Sequence, residues 1–458
     1  MTIGSFALVF LTAFENLAVA TVMPVISREL DGASLYAVAF SAPLAASVVG
    51  MVLAGSWSDR RGPRGPLLVA VTLFVIGLII AGLAPSMTVI VVGRLVYGFA
   101  SGGISVALYV VVGRTFPESL QPQVFGSFAA AWIFPALIGP AIAGIVADSV
   151  GWRWVFIGVV VIVALSVVML LPALRRLRGA ATDTTGESMA TAPAGDARRI
   201  LFAIVLALAV LVLSLVGELA GFVELVVGVA ALVVIALVVR PLVPTGSLRI
   251  RRGLGGVVAV RGIIAAAYFG AEIYLPYLLT GEFHLTPALA GLSLTGAGIT
   301  WGIASTVQGR FADRLSVGFS MTVGIATVIL SIAAALVTAL FVLSPWVAIA
   351  GWAIGGIGMG MVYPRLSVLI LGYSTPADQG VNSAGLSIAD SVGPAVSLAV
   401  LGILFQAVNS TATPAIAFSA VLGLACLFAV AALVASPRVS LRRSEAGTTP
   451  NPGPSAGD

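Results

Sequence analysis

Few side chains in this 458-residue sequence can do chemistry, because only 9% are charged and there is a single histidine. Two of the carboxylates, Glu15 and Glu272, stand inside long apolar runs. At 1.5 Å per helical residue, Glu15 lies ~18 Å and Glu272 ~15 Å from the start of its run, near the middle of a bilayer. Arg94 enters another apolar run about six residues from its outer end, at a depth comparable to Glu15. Ionisable groups at such depth are costly, so they line a cavity, pair, or carry protons. A low dielectric favours the neutral form of a carboxyl group, as a proton carrier requires. Glu15, Arg94 and Glu272 are therefore the candidates for proton coupling, with an outgoing cationic substrate competing for the same charge. The plainer alternatives are a helix-packing hydrogen bond from a protonated glutamate and a static Arg94 ion pair.

Other chemistries are poorly supplied. All 23 basic residues are arginine, so there is no lysine for a P-loop or a Schiff base. His284, read as an outer-loop residue, cannot build a zinc site or a histidine triad alone, and Cys426 cannot form a disulfide within the chain. The expectation is a protein that is not an enzyme and uses neither metal nor cofactor. A channel would show a continuous polar pore where this chain has isolated carboxylates.

The elements that position these groups are membrane helices, since 59% of residues are hydrophobic and the mean hydropathy is +1.13. Fourteen segments can span: 3–24, 37–57, 66–84, 88–112, 124–147, 153–172, 200–216, 222–239, 262–280, 288–308, 318–341, 346–369, 385–407 and 415–435. They divide the chain into a six-helix bundle (1–172), a linker (173–199), an inserted two-helix hairpin (200–239), a second linker (240–261), a second six-helix bundle (262–436) and a disordered tail (437–458). With the N-terminus in the cytoplasm, 19 loop arginines fall inside and only Arg28 and Arg153 outside. This positive-inside bias places both termini in the cytoplasm of a cell inner (plasma) membrane protein, and explains the basic pI without a nucleic-acid partner. Glu218 and Glu224 are expected to snorkel at the outer end of the hairpin, and Trp152, Trp154 and Trp346 to anchor at the interfaces.

The chain repeats itself. Gly55-Ser-Trp-Ser-Asp59-Arg60 recurs as Gly309-Arg-Phe-Ala-Asp313-Arg314, and Gly139-Pro140 as Gly393-Pro394, each 254 positions on. An internal repeat in a polytopic membrane protein points to a transporter with two similar halves around a midplane site. Gly55-x-x-x-Asp59-Arg60-x-Gly62-x-Arg64 resembles the signature loop of the major facilitator superfamily, and Gly309-x-x-x-Asp313-Arg314 its degenerate twin. Arg94-x-x-x-Gly98-x-x-x-Gly102 and Gly139-Pro140-x-x-x-Gly144 are similar to the arginine and antiporter motifs of its 14-helix drug:proton antiporters. Pro135 stands where that pattern usually has glycine. In the first helix Glu15, nine residues before Pro24, replaces an aspartate, and Leu17 and Ala20 replace its polar neighbours.

The resemblance implies an all-α major facilitator fold and a monomeric carrier that exchanges protons for small molecules by alternating access. Glu15 and Arg94 would then share one half and face one cavity. Asp59, Arg60 and Asp390, with Arg365, Gly55, Arg64, Asp313 and Arg314, are the candidate gate or latch. Gly139, Pro140 and Gly144 allow a kink or close helix approach. Phe134, Tyr274, Tyr277, Trp301, Trp352 and Tyr363 are candidates to line an aromatic cavity, with ordinary packing as the alternative. The functional expectation is proton-coupled efflux of amphipathic or cationic drug-like compounds. A lipid or glycolipid exporter is the runner-up, and a nutrient symporter comes third.

Overall fold

The computed structural model describes residues 2–115, 121–163, 194–216, 219, 222–311, 314–374, 379–409 and 414–440. Their long secondary-structure elements are fourteen helices. These are α1 (Thr2–Glu29), α2 (Tyr36–Arg61), α3 (Arg64–Gly82), α4 (Met87–Thr115), α5 (Gln121–Ser149), α6 (Arg153–Val163) and α7 (Ala194–Leu215). The chain continues as α8 (Phe222–Val239), α9 (Leu254–Gly281), α10 (Pro287–Arg310), α11 (Val317–Phe341), α12 (Pro345–Gly372), α13 (Gln379–Asn409) and α14 (Pro414–Ala435). Among the described residues, 11 helices are long and apolar enough to cross a bilayer.

Local sequence sets several boundaries. Thr286 caps α10 by accepting from the Leu289 N–H at 3.3 Å, with Pro287 as the first helical residue. Ser316 caps α11 in the same way through Phe319. Gly62 ends α2 at φ 79°, a left-handed conformation that favours glycine.

Helices α1–α6 and α9–α14 form two bundles. In the first, α4 packs against α2 and α3, and α1 against α5; in the second, α12 packs against α10 and α11, and α9 against α13 and α14. Lipid offers no hydrophobic drive between helices, so close backbone approach at small residues supplies much of the contact. A Cβ on Gly102 would lie 2.0 Å from the Ser47 carbonyl oxygen, and one on Gly356 2.1 Å from that of Ala297. These two glycines are 254 positions apart, so the duplication extends to helix packing. The bundles meet along α5–α10, α2–α13 and α1–α9. The helix α7 lies over one of these seams, touching both α2 and α13, and its Ser214 hydroxyl is 2.8 Å from that of Ser41.

The second linker differs from expectation. The helix α9 starts at Leu254 and not at 262: Gly255, Gly256, Val257, Val258 and Val260 are buried, with Gly255 against Gly246 and Gly256 against the Arg438 backbone. The Gly253 N–H donates to the Arg438 carbonyl at 3.0 Å, and Arg252 donates to Pro437. As a result Arg261 stands two turns inside a helix. Helix α7 likewise begins at Ala194, ahead of position 200, and α13 at Gln379, ahead of 385.

Candidate functional site

The helix ends bearing Arg60, Arg61, Arg64 and Arg310 define an arginine-rich end of the molecule. At the opposite end the bundles are joined. The Tyr36 hydroxyl donates to the Ile273 carbonyl at 2.8 Å, and Gln406 donates to the Ser34 carbonyl at 2.5 Å. The Tyr36 ring stacks on Tyr277 at 4.4 Å and leans on Tyr274 at 5.9 Å, with Phe405 and Phe418 packed behind them. Tyr274 and Tyr277 thus belong to this seal and not to a cavity lining, since their rings are taken up by partners from α2, α13 and α14. Gly144 approaches the Ala288 backbone so closely that a Cβ would sit 2.5 Å from it, and Gly291 lies against Pro140. The Gly139-Pro140-Gly144 motif therefore lies on the α5–α10 seam.

In the first bundle, α1 and α4 bring Glu15 and Arg94 together. One terminal guanidinium nitrogen of Arg94 donates to Glu15 Oε1, and both residues are about 98% shielded. The arginine is held from several sides: its Nε donates to the Ala39 carbonyl at 3.1 Å, and its guanidinium faces Tyr97 at 5.1 Å and Phe40 at 5.7 Å. Tyr97 is itself tied to the Thr12 carbonyl. Glu15 Oε2, by contrast, is buried and accepts no hydrogen bond among the described residues; the Tyr97 hydroxyl beside Glu15 donates to Thr12 instead. An unmet carboxylate oxygen beside a fixed cation is a place where a proton or a second cation can be accommodated.

In the second bundle, α9 carries Arg261, Tyr268 and Glu272 at offsets of seven and four, which is one helical face. Around Glu272 the rings of Tyr268 and Trp352 stack at 5.0 Å, Trp301 meets Tyr363 at 5.2 Å, and Phe269 lies 6.2 Å from both Trp301 and Tyr363. Among the described residues the Tyr268 hydroxyl is buried with no hydrogen-bond partner, the Trp352 indole N–H is directed at the Glu272 carboxylate, and Glu272 is only half-buried. A carboxylate beside Tyr268, Trp352 and Tyr363, within a cluster of five rings, has the chemistry of an organic-cation site.

Nearer the arginine-rich end, Asp390 accepts from Arg261 twice, at 2.8 and 2.6 Å, and from the Tyr363 hydroxyl at 3.0 Å. The guanidinium also donates to the Tyr363 carbonyl and lies 3.4 Å over that ring. Asp390, expected beside Asp59 and Arg60, is held here by Arg261, a partner that a start of α9 at position 262 hid from sequence reasoning. The Asp59 side chain, Asp313 and Glu218 lie outside the described residues. Arg60 and Arg314 are exposed, Gly55 sits beside Val106, and Arg365 clasps the α10–α11 loop by donating to the Leu315 carbonyl at 2.9 Å. Phe134, expected in the cavity, is 54% exposed and joins none of these ring clusters.

The sequence profile described as Major Facilitator Superfamily matches residues 5–271 and 257–455, the two halves in turn. The chain belongs to the Major Facilitator Superfamily. It is a transporter and not an enzyme. The sequence is 25% identical, over 86% of its length and 85% of the relative's, to a protein of Mycobacterium tuberculosis described as a probable multidrug-efflux transporter. It is 21% identical to the multidrug efflux pump SdrM of Staphylococcus aureus, over 87% of this chain and 88% of that protein. Among solved structures, a POT family transporter in complex with 5-aminolevulinic acid matches with a TM-score of 0.68 at 17% identity, over 96% of each chain. A D-xylose-proton symporter matches with a TM-score of 0.64 at 14% identity, over 96% of this chain and 99% of that one. At such identities these two structures show a shared fold.

Within the superfamily fold, the residues that sequence reasoning missed are Arg261, Tyr268, Phe269, Tyr36 and Tyr97. One signal was available: the apolar run from Gly255 onward is uninterrupted except for Arg261, and Arg261 and Glu272 are eleven residues apart, three helical turns on one face.

Proposed function

We propose that this transporter exports cationic, amphipathic small molecules in exchange for protons. The observation that carries the reading is a division of labour between bundles: Glu15 paired with Arg94 in one, and Glu272 beside an aromatic box in the other. A proton arriving at Glu15 would end its pairing with Arg94, and a cation at Glu272 would gain both a counter-charge and ring faces. Because α1 meets α9, a change in how α1 is held has a direct route to the helix bearing Glu272. The names of the relatives, which describe multidrug efflux, support the same direction of transport. The arginine-rich end is read as cytoplasmic, so the sealed end faces outward and the carrier opens toward the cytoplasm. It would act as a single copy in the cell membrane, with the proton gradient as its only energy source.

Lipid export is the weaker reading here. Helix α7 covers the α2–α13 seam from the membrane side, where a lipid could otherwise enter between the bundles. The test is proton-gradient release in proteoliposomes on adding tetraphenylphosphonium, ethidium or a dispersed lipid. Cations should dissipate the gradient for the native protein and not for Glu15→Gln or Glu272→Gln. Normal coupled efflux by both variants would overturn the assignment, and a response to lipid alone would replace it.

A further inference from the structure

A half-open space among the described residues lies away from the carboxylates. It is a cavity of about 460 Å³ between α2, α3, α4 and the inserted helix α7, bordered by Gly50, Trp57, Arg60, Arg61, Val69 and Ile200. Its walls are apolar almost throughout, and the arginines stand at one end only. Along α2 it extends from Gly50 to Arg61, eleven residues or ~16 Å of helix, which matches the ~15 Å depth of one bilayer leaflet. Trp57, 40% exposed, borders it one turn before Arg61, where an aromatic ring meets the headgroup layer. On α7, Arg198 and Arg199 are exposed directly before the lining residue Ile200, and Arg198 rests on the Phe202 ring at 5.3 Å. An apolar slot one leaflet deep, ending in Arg60 and Arg61 of α2 and touched on α7 by Ile200, the residue directly after Arg198 and Arg199, matches a phospholipid in both length and charge.

We propose that this groove is a binding site for an anionic membrane phospholipid. One acyl chain fills the slot between α2, α3 and α7, and the phosphate is held by Arg61, Arg198 and Arg199. The inserted hairpin thereby gains a role, because Ile200 and the two arginines before it complete a site that α2 and α3 leave open on one side. The bound lipid ties α7 to the α2–α3 loop and so holds the hairpin against the first bundle.

The test uses the full-length protein in mild detergent, titrated with dioleoyl-phosphatidylglycerol or dioleoyl-phosphatidylcholine and read by native mass spectrometry. The native chain should take up one phosphatidylglycerol tightly and phosphatidylcholine poorly. At about fivefold in affinity per arginine near the phosphate, the triple variant Arg61→Gln/Arg198→Gln/Arg199→Gln should lose on the order of 100-fold for phosphatidylglycerol. Val69→Trp, which fills the slot without changing charge, should lose binding of both lipids; Arg240→Gln/Arg249→Gln, two exposed arginines elsewhere, should change nothing. Native-like phosphatidylglycerol binding by the triple variant or by Val69→Trp would overturn the proposal. Equal binding of the two lipids by the native chain would overturn it as well.

Discussion

Asp390→Asn removes the counter-charge from Arg261 while keeping the side-chain volume, which makes it the sharpest probe of the second bundle. The carboxylate accepts two charge-assisted bonds, at 2.8 and 2.6 Å, and a phenolic one at 3.0 Å. Leaving one member of a buried ion pair unpaired costs roughly 3–5 kcal/mol. Here the side chains are 10% and 28% exposed, so solvent screening lowers the expected cost to about 2–3 kcal/mol. Arg261→Met should cost a similar amount, because it strands Asp390 beside the Tyr363 ring. The double variant Arg261→Met/Asp390→Asn should be far less destabilised than the sum of the two, by about 2 kcal/mol of coupling, since no uncompensated charge remains. The cycle is measured by unfolding in mixed detergent micelles, with transport measured on the same samples. Additive single effects would refute the claim that this pair is a coupled unit. Native transport by the stable double variant would show that the pair only braces α9 against α13.

Other outcomes follow from the same geometry. Glu15→Gln strands the buried Arg94, so it should lower stability by roughly 3–5 kcal/mol and also abolish proton-driven exchange per folded molecule, which gradient release normalised to the amount of folded protein would show. Trp352→Ala should weaken binding of an organic cation by 5- to 30-fold, about 1–2 kcal/mol of cation–π interaction, while leaving neutral substrates less affected; equal losses for both would argue against the aromatic box. Tyr36→Phe removes the hydrogen bond to the Ile273 carbonyl and should shift labelling of outward-facing cysteines toward the open state by a factor of about 2–10, or about 0.5–1.5 kcal/mol. Gly144→Val places side-chain atoms where the Ala288 backbone lies and should prevent closure at that end, detectable as loss of a cross-link between α5 and α10.

Composition alone decided that this is a bundle of membrane helices, because a chain with 59% hydrophobic residues has no use for water-facing surfaces. The 254-residue repeat decided that there are two bundles, and its glycines recur in the α2–α4 and α10–α12 contacts because identical small residues permit identical close packing. The depth of Glu15 and Arg94 could be counted along their helices, and their meeting followed once α1 and α4 shared a bundle. What sequence could not decide was which groups face each other across helices of different register. Arg261 looked like loop charge because a boundary is read locally, whereas the start of α9 is held by contacts of Gly253 and Gly256 with Arg438, far away in the chain. The aromatics divided into a seal and a box for the same reason: Tyr277 and Trp301 are alike in sequence context, and only the helices opposite them determine whether a ring closes an end or borders a carboxylate. Residue type and depth are written along one helix, but partnership is a property of two, and that only the tertiary structure supplied.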